Sequence, residues 1–173
     1  MGNLINNYLF KALDAYPYEL EEAVEALNYA LSYDDKNTTA LCLMGRINAE
    51  VINDYEKAKE YYAEALAENI DAIKVYPHYI NVLLWNEDYE EAKKLIDFGL
   101  TIKGVDKAVL YLKKAIYYEQ LKRYKKALSS IKLAKEYAFN NEFTDTINEE
   151  KKRIKGKLPK SKKQKKKKRK KKK

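Results

Sequence analysis

His78 and Cys42 are the single histidine and the single cysteine of this 173-residue chain, so they alone could pair as a base and a thiol nucleophile. A thiol needs such a neighbour to ionise near neutral pH, and the pair would then support acyl transfer. Their sequence surroundings argue against it. Cys42 sits in the apolar run 40–44, where a small buried side chain is expected. His78 follows Pro77 at the start of a helical stretch and reads as a surface or partly packed residue. Glu21 with Glu22, and Glu90 with Glu91, are adjacent carboxylates on helix faces, and they read as solvated charge. No Cys/His set has metal-ligand spacing, and the five glycines form no phosphate-cradling loop. The expectation is a chain with no catalytic site, no metal and no cofactor. Asn37-Thr38-Thr39 fits a glycosylation sequon, which carries no weight without a secretory signal.

The chemistry that remains is charge. Residues 151–173 hold 17 basic groups and no acid, whereas residues 1–150 hold 18 bases against 26 acids. The net +9 is thus a balance between an acidic body and a cationic string. Like-charged blocks repel, stay disordered and serve as interaction tails. The candidate polyanion-binding residues are Lys160, Lys162, Lys163, Lys165, Lys166, Lys167, Lys168, Arg169, Lys170, Lys171, Lys172 and Lys173. Such a string binds RNA or DNA phosphate by releasing counterions, without reading sequence. It has no aromatic to stack on bases and no apolar anchor for a bilayer, so a membrane partner is not expected. Fully extended, 17 residues reach about 55 Å, enough to fold back over the acidic first repeats. A solubility role is the plain alternative. Lys113, Lys114, Lys122, Arg123, Lys125 and Lys126 extend the basic character upstream of the tail.

An internal repeat organises the rest. Ala23, Ala58, Ala92 and Ala127 are spaced by 35, 34 and 35 residues. Four residues after each comes a large apolar side chain: Leu27, Tyr62, Ile96 and Ile131. Three further on comes a small one: Ala30, Ala65, Gly99 and Ala134. The i, i+4, i+7 spacing puts each triplet on one helical face. The small residues let a neighbouring helix approach while the large one fills the next groove. Tyr55, Tyr89 and Tyr124 recur three residues before the alanine and are expected to pack where the chain enters the helix. A second apolar helical stretch precedes each unit, at residues 4–15, 39–51, 77–85 and 108–121. Links as short as Asn53-Asp54, Glu87-Asp88 and Lys122-Arg123 force the two helices antiparallel.

This pattern resembles the tetratricopeptide repeat, whose period is 34 and whose signature is W-x2-L-G-x2-Y, then A-x3-F, then P. The resemblance covers residues 4–137. Tyr111, Ala115 and Tyr118, with Ala127 and Ile131, carry it in the fourth unit, and Leu41, Met44 and Gly45, with Ala58 and Tyr62, in the second. The second unit has one extra residue between its helices, and the third has Ile80 at the usual small position. The family's closing proline is absent, with Asp35 in its place in the first unit. The resemblance implies an all-α, right-handed superhelical solenoid of four helix pairs in residues 1–137. Residues 138–156, with Phe143, Ile147 and Ile154 apolar, are expected to be a capping helix, and residues 157–173 a disordered tail. The length suggests one domain of about 150 residues before the tail.

The family's first helices line a concave groove, which implies a non-catalytic scaffold or adaptor holding a protein or peptide. The groove candidates are Tyr8, Arg46, Asn81, Trp85, Leu112 and Glu119. Some family members clamp a chaperone's C-terminal carboxylate with Lys, Arg and Asn. Those positions fall near Tyr8, Ala12, Leu43, Lys113 and Ile116, where only Lys113 has the right chemistry, so that partner is not expected. The alternative function is an RNA- or ribosome-associated factor using the tail. With no signal peptide or membrane-length apolar run, the expected location is the cytoplasm, or the nucleus in a eukaryote.

Overall fold

The computed structural model describes residues 2–159, and among them it shows nine α-helices, one π-helical turn and no strand. The helices form four pairs. They are α1 (Gly2–Ala15) with α2 (Leu20–Tyr33), α3 (Thr38–Ile47) with α4 (Tyr55–Glu68), α5 (Val75–Trp85) with α6 (Tyr89–Gly99), and α7 (Lys107–Gln120) with α8 (Tyr124–Tyr137). A ninth helix, α9 (Asn141–Gly156), follows. The all-α repeat expected from the 34–35-residue spacing is therefore present.

Where the length suggested one domain, the chain divides into two compact units between Asp106 and Lys107. In the first, α1 packs on α2, α2 on α3, α3 on α4, α4 on α5 and α5 on α6. In the second, α7 packs on α8 and α8 on α9.

The repeating triplet is the core. Ala23, Ala58, Ala92 and Ala127 are fully buried, as are Leu27, Tyr62, Ile96 and Ile131 beside them and the small residue that ends each triplet. Each buried Leu or Ile contributes about 1.5–3 kcal/mol relative to exposure. Tyr55, Tyr89 and Tyr124 are the first residues of α4, α6 and α8, and they are half-buried.

The short links are turns of one kind. Glu87 and Lys122 have φ of 61° and 57°, left-handed values that end a helix. The next amide closes the motif: Asp88 N–H donates to the Leu83 carbonyl at 2.8 Å, and Arg123 N–H to that of Tyr118 at 2.8 Å. Glu87 N–H and Lys122 N–H donate to the carbonyls of Leu84 and Glu119. Carbonyl groups left over at the end of each helix thereby gain partners.

The extra residue of the second repeat appears as the π-helical turn Asn48–Ile52 at the end of α3. A π turn absorbs one residue without breaking the helix. Asn48 is buried there, and its amide donates to the Met44 carbonyl at 2.8 Å. Asn53, at φ 61°, then turns the chain, and the Asp54 side chain caps α4 by accepting from Lys57 N–H at 2.9 Å.

Two boundaries differ from expectation. Helix α5 starts at Val75, two residues before Pro77, because an amide in the first turn has no intrahelical partner to lose. Lys157, assigned to the tail by its sequence, belongs to the folded end: its amide donates to the Ile154 carbonyl at 3.1 Å and its ammonium pairs with Glu119 at 2.8 Å. In α9, capped by Asn140, Ile147 and Ile154 are fully buried in the core shared with Ile131. The tail residues 160–173, including every candidate polyanion-binding side chain, lie outside the described residues.

Candidate functional site

The π turn that lodges the extra residue also creates a polar cluster. Glu50 stands on it, one helical turn after Arg46 of α3. Arg46 donates from Nε and one terminal nitrogen to the Glu50 oxygens at 3.4 and 3.5 Å, and its guanidinium lies 4.7 Å over the Tyr16 ring. The Tyr16 hydroxyl, just after α1, donates to Glu50 Oε2. His78 of α5 places Nδ1 3.8 Å from Glu50 Oε1. One carboxylate thus ties together Tyr16 after α1, Arg46 of α3 and His78 of α5.

Electrostatics fit that geometry. Burial pushes the Glu50 carboxyl up, but the Tyr16 hydroxyl and the Arg46 guanidinium outweigh it and hold the group below its ordinary range. Burial, reinforced by the hydrogen bond to Glu50, pushes the Tyr16 phenol up to about 12. Glu50 is therefore an anion at neutral pH and Tyr16 a neutral donor. Glu50 is occupied with holding Arg46, and Arg46 retains donors beyond the two it uses, since a guanidinium carries five.

His78 connects the cluster to one face of α5. His78, Asn81 and Trp85 are spaced i, i+3, i+7 along α5 and so share one face of that helix. Trp85 is 46% exposed, and its ring centroid lies 6.0 Å from that of Tyr55. Val51 and Ile52, which leave the π turn just after Glu50, are also exposed. Asn81 is half-buried. Through Glu50, Arg46 of α3 is linked to the α5 face that carries His78, Asn81 and Trp85.

Of the six groove candidates, Arg46, Asn81 and Trp85 fall in this region. Tyr8 does not: it stacks on Tyr29 and Tyr33 of α2, with ring centroids at 5.1 and 6.3 Å. Leu112 and Glu119 are corrected. Leu112 is buried in the core that α9 completes. Glu119 is buried and paired with Arg153 at 2.5 Å and Lys157 at 2.8 Å, both from α9 and its end. A helix outside the repeat pattern covers positions that would otherwise face outward. Lys113 is half-buried, and burial pushes its ammonium pKa down.

Cys42 is buried, and burial pushes its thiol up to about 11, the opposite of an activated nucleophile. Among the described residues no group of three or more His, Cys, Asp or Glu side chains is placed to hold a metal. None of the described helices is long and apolar enough to cross a membrane. A separate open groove of about 520 Å³ runs between α1 and α2, lined by Phe10, Lys11, Asp14, Tyr18 and Glu22 among others, and shares no residue with the Glu50 cluster. Reasoning from sequence missed Tyr16 and Glu50. The signal available for Glu50 was the extra residue of repeat 2, which marks a local departure from the helix ladder.

No family model matches the chain, and no curated protein matches it. Solved structures do. PilF of Pseudomonas aeruginosa is 18% identical, covering 87% of this chain and 71% of that one, with a TM-score of 0.73. Residues 41 to the end of MamA from Desulfovibrio magneticus RS-1 are 18% identical, covering 91% and 90%, with a TM-score of 0.68. A MamA RS-1 double mutant is 17% identical, covering 79% and 76%, with a TM-score of 0.66. At this identity the likeness is one of fold, and the fold is the tetratricopeptide-like helical repeat.

Proposed function

We propose that this tetratricopeptide-like protein is a non-catalytic, cytoplasmic adaptor that binds a protein or peptide partner on the first-helix face of unit 1. The observation that carries the reading is that Glu50 links Arg46 of α3 to His78 of α5, whose helix face also carries Asn81 and the exposed Trp85. Arg and Trp dominate binding energy at protein interfaces because they combine large contact area with directed hydrogen bonds. Glu50 pre-orients Arg46, which lowers the entropy lost when a partner engages it.

The test is affinity capture with quantitative mass spectrometry, using the full chain, Arg46→Ala, Trp85→Ala and a control, Glu64→Ala, on the exposed side of α4. Partners retained by the wild type and the control, and reduced about tenfold or more by Arg46→Ala and Trp85→Ala, support the assignment. Equal retention by all four proteins refutes it.

A second reading, contact with RNA or another nucleic acid through residues 160–173, is favoured by charge. That segment has 12 basic residues and no acid. Salt-dependent RNA binding that disappears when its lysines are replaced by glutamine supports it; binding unchanged by those replacements counts against it.

A further inference from the structure

The boundary between Asp106 and Lys107 is also a boundary in charge. Residues 1–106 carry 9 bases against 20 acids, a net of −11. Residues 107–159 carry 14 bases against 6 acids, a net of +8 before the tail begins. The excess is concentrated at one end of unit 2, where α7 finishes, α8 begins and α9 finishes.

Contacts define that end. Glu119 in the last turn of α7 binds Arg153 and Lys157 of α9 and its end. Lys126 in the first turn of α8 lies 5.6 Å over the ring of Tyr118 from α7. Lys122, Arg123, Lys125 and Lys126 are exposed, and among the described residues no carboxylate lies within ion-pairing distance of them. Glu119 is buried, so it positions Arg153 and Lys157 without presenting negative charge to the solvent. The first turns of α2, α4 and α6 carry acids, whereas that of α8 carries none, so the positive end of the α8 dipole adds to the field. Pro159, the last described residue, follows α9 at this same end.

We propose that this end of unit 2 is a folded binding surface for the phosphodiester backbone of a nucleic acid. It rests on the second reading above for the class of ligand and extends it to residues with defined places in the fold. Cations carried on helices gain affinity by releasing counterions, with little backbone ordering left to lose. Nucleic acid fits better than a bilayer. Among the described residues of unit 2, the exposed large apolar side chains are Leu133, Tyr137 and Phe139, at the opposite end of α8. The basic end has none to insert into lipid.

The test uses the full chain and single-stranded oligouridylate, with affinity measured across a salt series. One variant combines Lys122→Gln, Arg123→Gln, Lys125→Gln and Lys126→Gln; a matched variant replaces Lys170, Lys171, Lys172 and Lys173 with Gln. Each lost phosphate contact lowers the salt slope by roughly 0.7, so the folded-surface variant is expected to lose roughly 3 in slope and about tenfold or more in low-salt affinity. If it keeps wild-type slope and affinity while the tail variant loses both, the folded surface is refuted and the tail reading stands. If the wild type fails to bind at low salt, both fall. Binding to phosphatidylserine vesicles without binding to oligouridylate also overturns the proposal. Lysine acylation of the wild type, read by mass spectrometry, decides the matter should the variant lose helicity. Bound oligouridylate is expected to protect Lys122, Lys125 and Lys126 and to leave Lys132 reactive; equal reactivity refutes the surface.

Discussion

A Cβ placed on Gly45 would lie 2.7 Å from Cε1 of Tyr62 and within 3.0 Å of two more atoms of the same ring. Gly45 is buried in α3 and Tyr62 is 1% exposed in α4. The glycine therefore serves close approach, and the largest side chain of the four triplets occupies the space it leaves. Other repeats solve the same contact with different volumes: Ala12 with Leu27, and Ala115 with Ile131, share their respective cores. Gly45→Ala is expected to destabilise the protein by about 1–2 kcal/mol. Overpacking costs about 1–3 kcal/mol, and the gain in helix propensity offsets part of it. Urea denaturation checks this. The double variant Gly45→Ala/Tyr62→Leu should recover part of the loss, and a simple sum of the two single effects would disprove the steric account.

Arg153→Met keeps most of the aliphatic packing and removes one of the two cations on buried Glu119. Hydrogen bonds to charged groups contribute roughly 1.5–3 kcal/mol, and a loss in that range is expected. Hydrogen exchange should rise first in α9, since its last turn loses its tie to α7. A stability unchanged from the wild type would show that Lys157 alone suffices.

The Glu50 cluster predicts the shape of the pH profile. The folded Glu50 carboxyl lies below its ordinary value of 4.5, so its contribution is present above that pH and is lost as pH falls through the lowered native value. Tyr16 is shifted the other way, from 10.0 up to about 12, so its contribution is present below pH 10 and is lost as pH rises toward 12. Glu50→Gln should be less stable at pH 7 and show a shallower acid limb. Tyr16→Phe should cost roughly 1 kcal/mol at pH 7 and flatten the alkaline limb. Thermal melts between pH 3 and pH 11 read both effects. Parallel curves for wild type and variants would contradict the assignment.

Cys42 should resist labelling in the native state. Moving a thiol from 9.0 to about 11 lowers its thiolate fraction at pH 8 by about a hundredfold, and burial restricts reagent access further. Reaction with a disulfide reagent is expected to be at least that much slower in buffer than in denaturant. Comparable rates in the two would show that the α3 core opens readily.

The repeat was legible in the primary structure because close helix packing leaves a periodic mark. The alanines at 23, 58, 92 and 127 and their large partners are buried as their spacing implies, since a 3.6-residue period admits one inward face. The turns at Glu87 and Lys122 were harder to see, because neither residue type favours the left-handed region that each adopts. The groove candidates fall in different surroundings. Arg46, Asn81 and Trp85 lie on adjoining first helices, whereas Tyr8 turns onto α2 and Leu112 and Glu119 are covered.

By itself, then, the amino-acid order determined the helix pairs, their core and the separation of acidic from basic residues, because each follows from local period and composition. Tertiary structure decided which side chains meet. It turned one surplus residue into a π turn that delivers Glu50 to Tyr16, Arg46 and His78. It also brought α9 back so that Glu119 pins Arg153 and Lys157 beside the α7–α8 turn. Tyr16 and Glu50 are 34 residues apart, as are Glu119 and Arg153, and contacts over that distance are set by how helices pack.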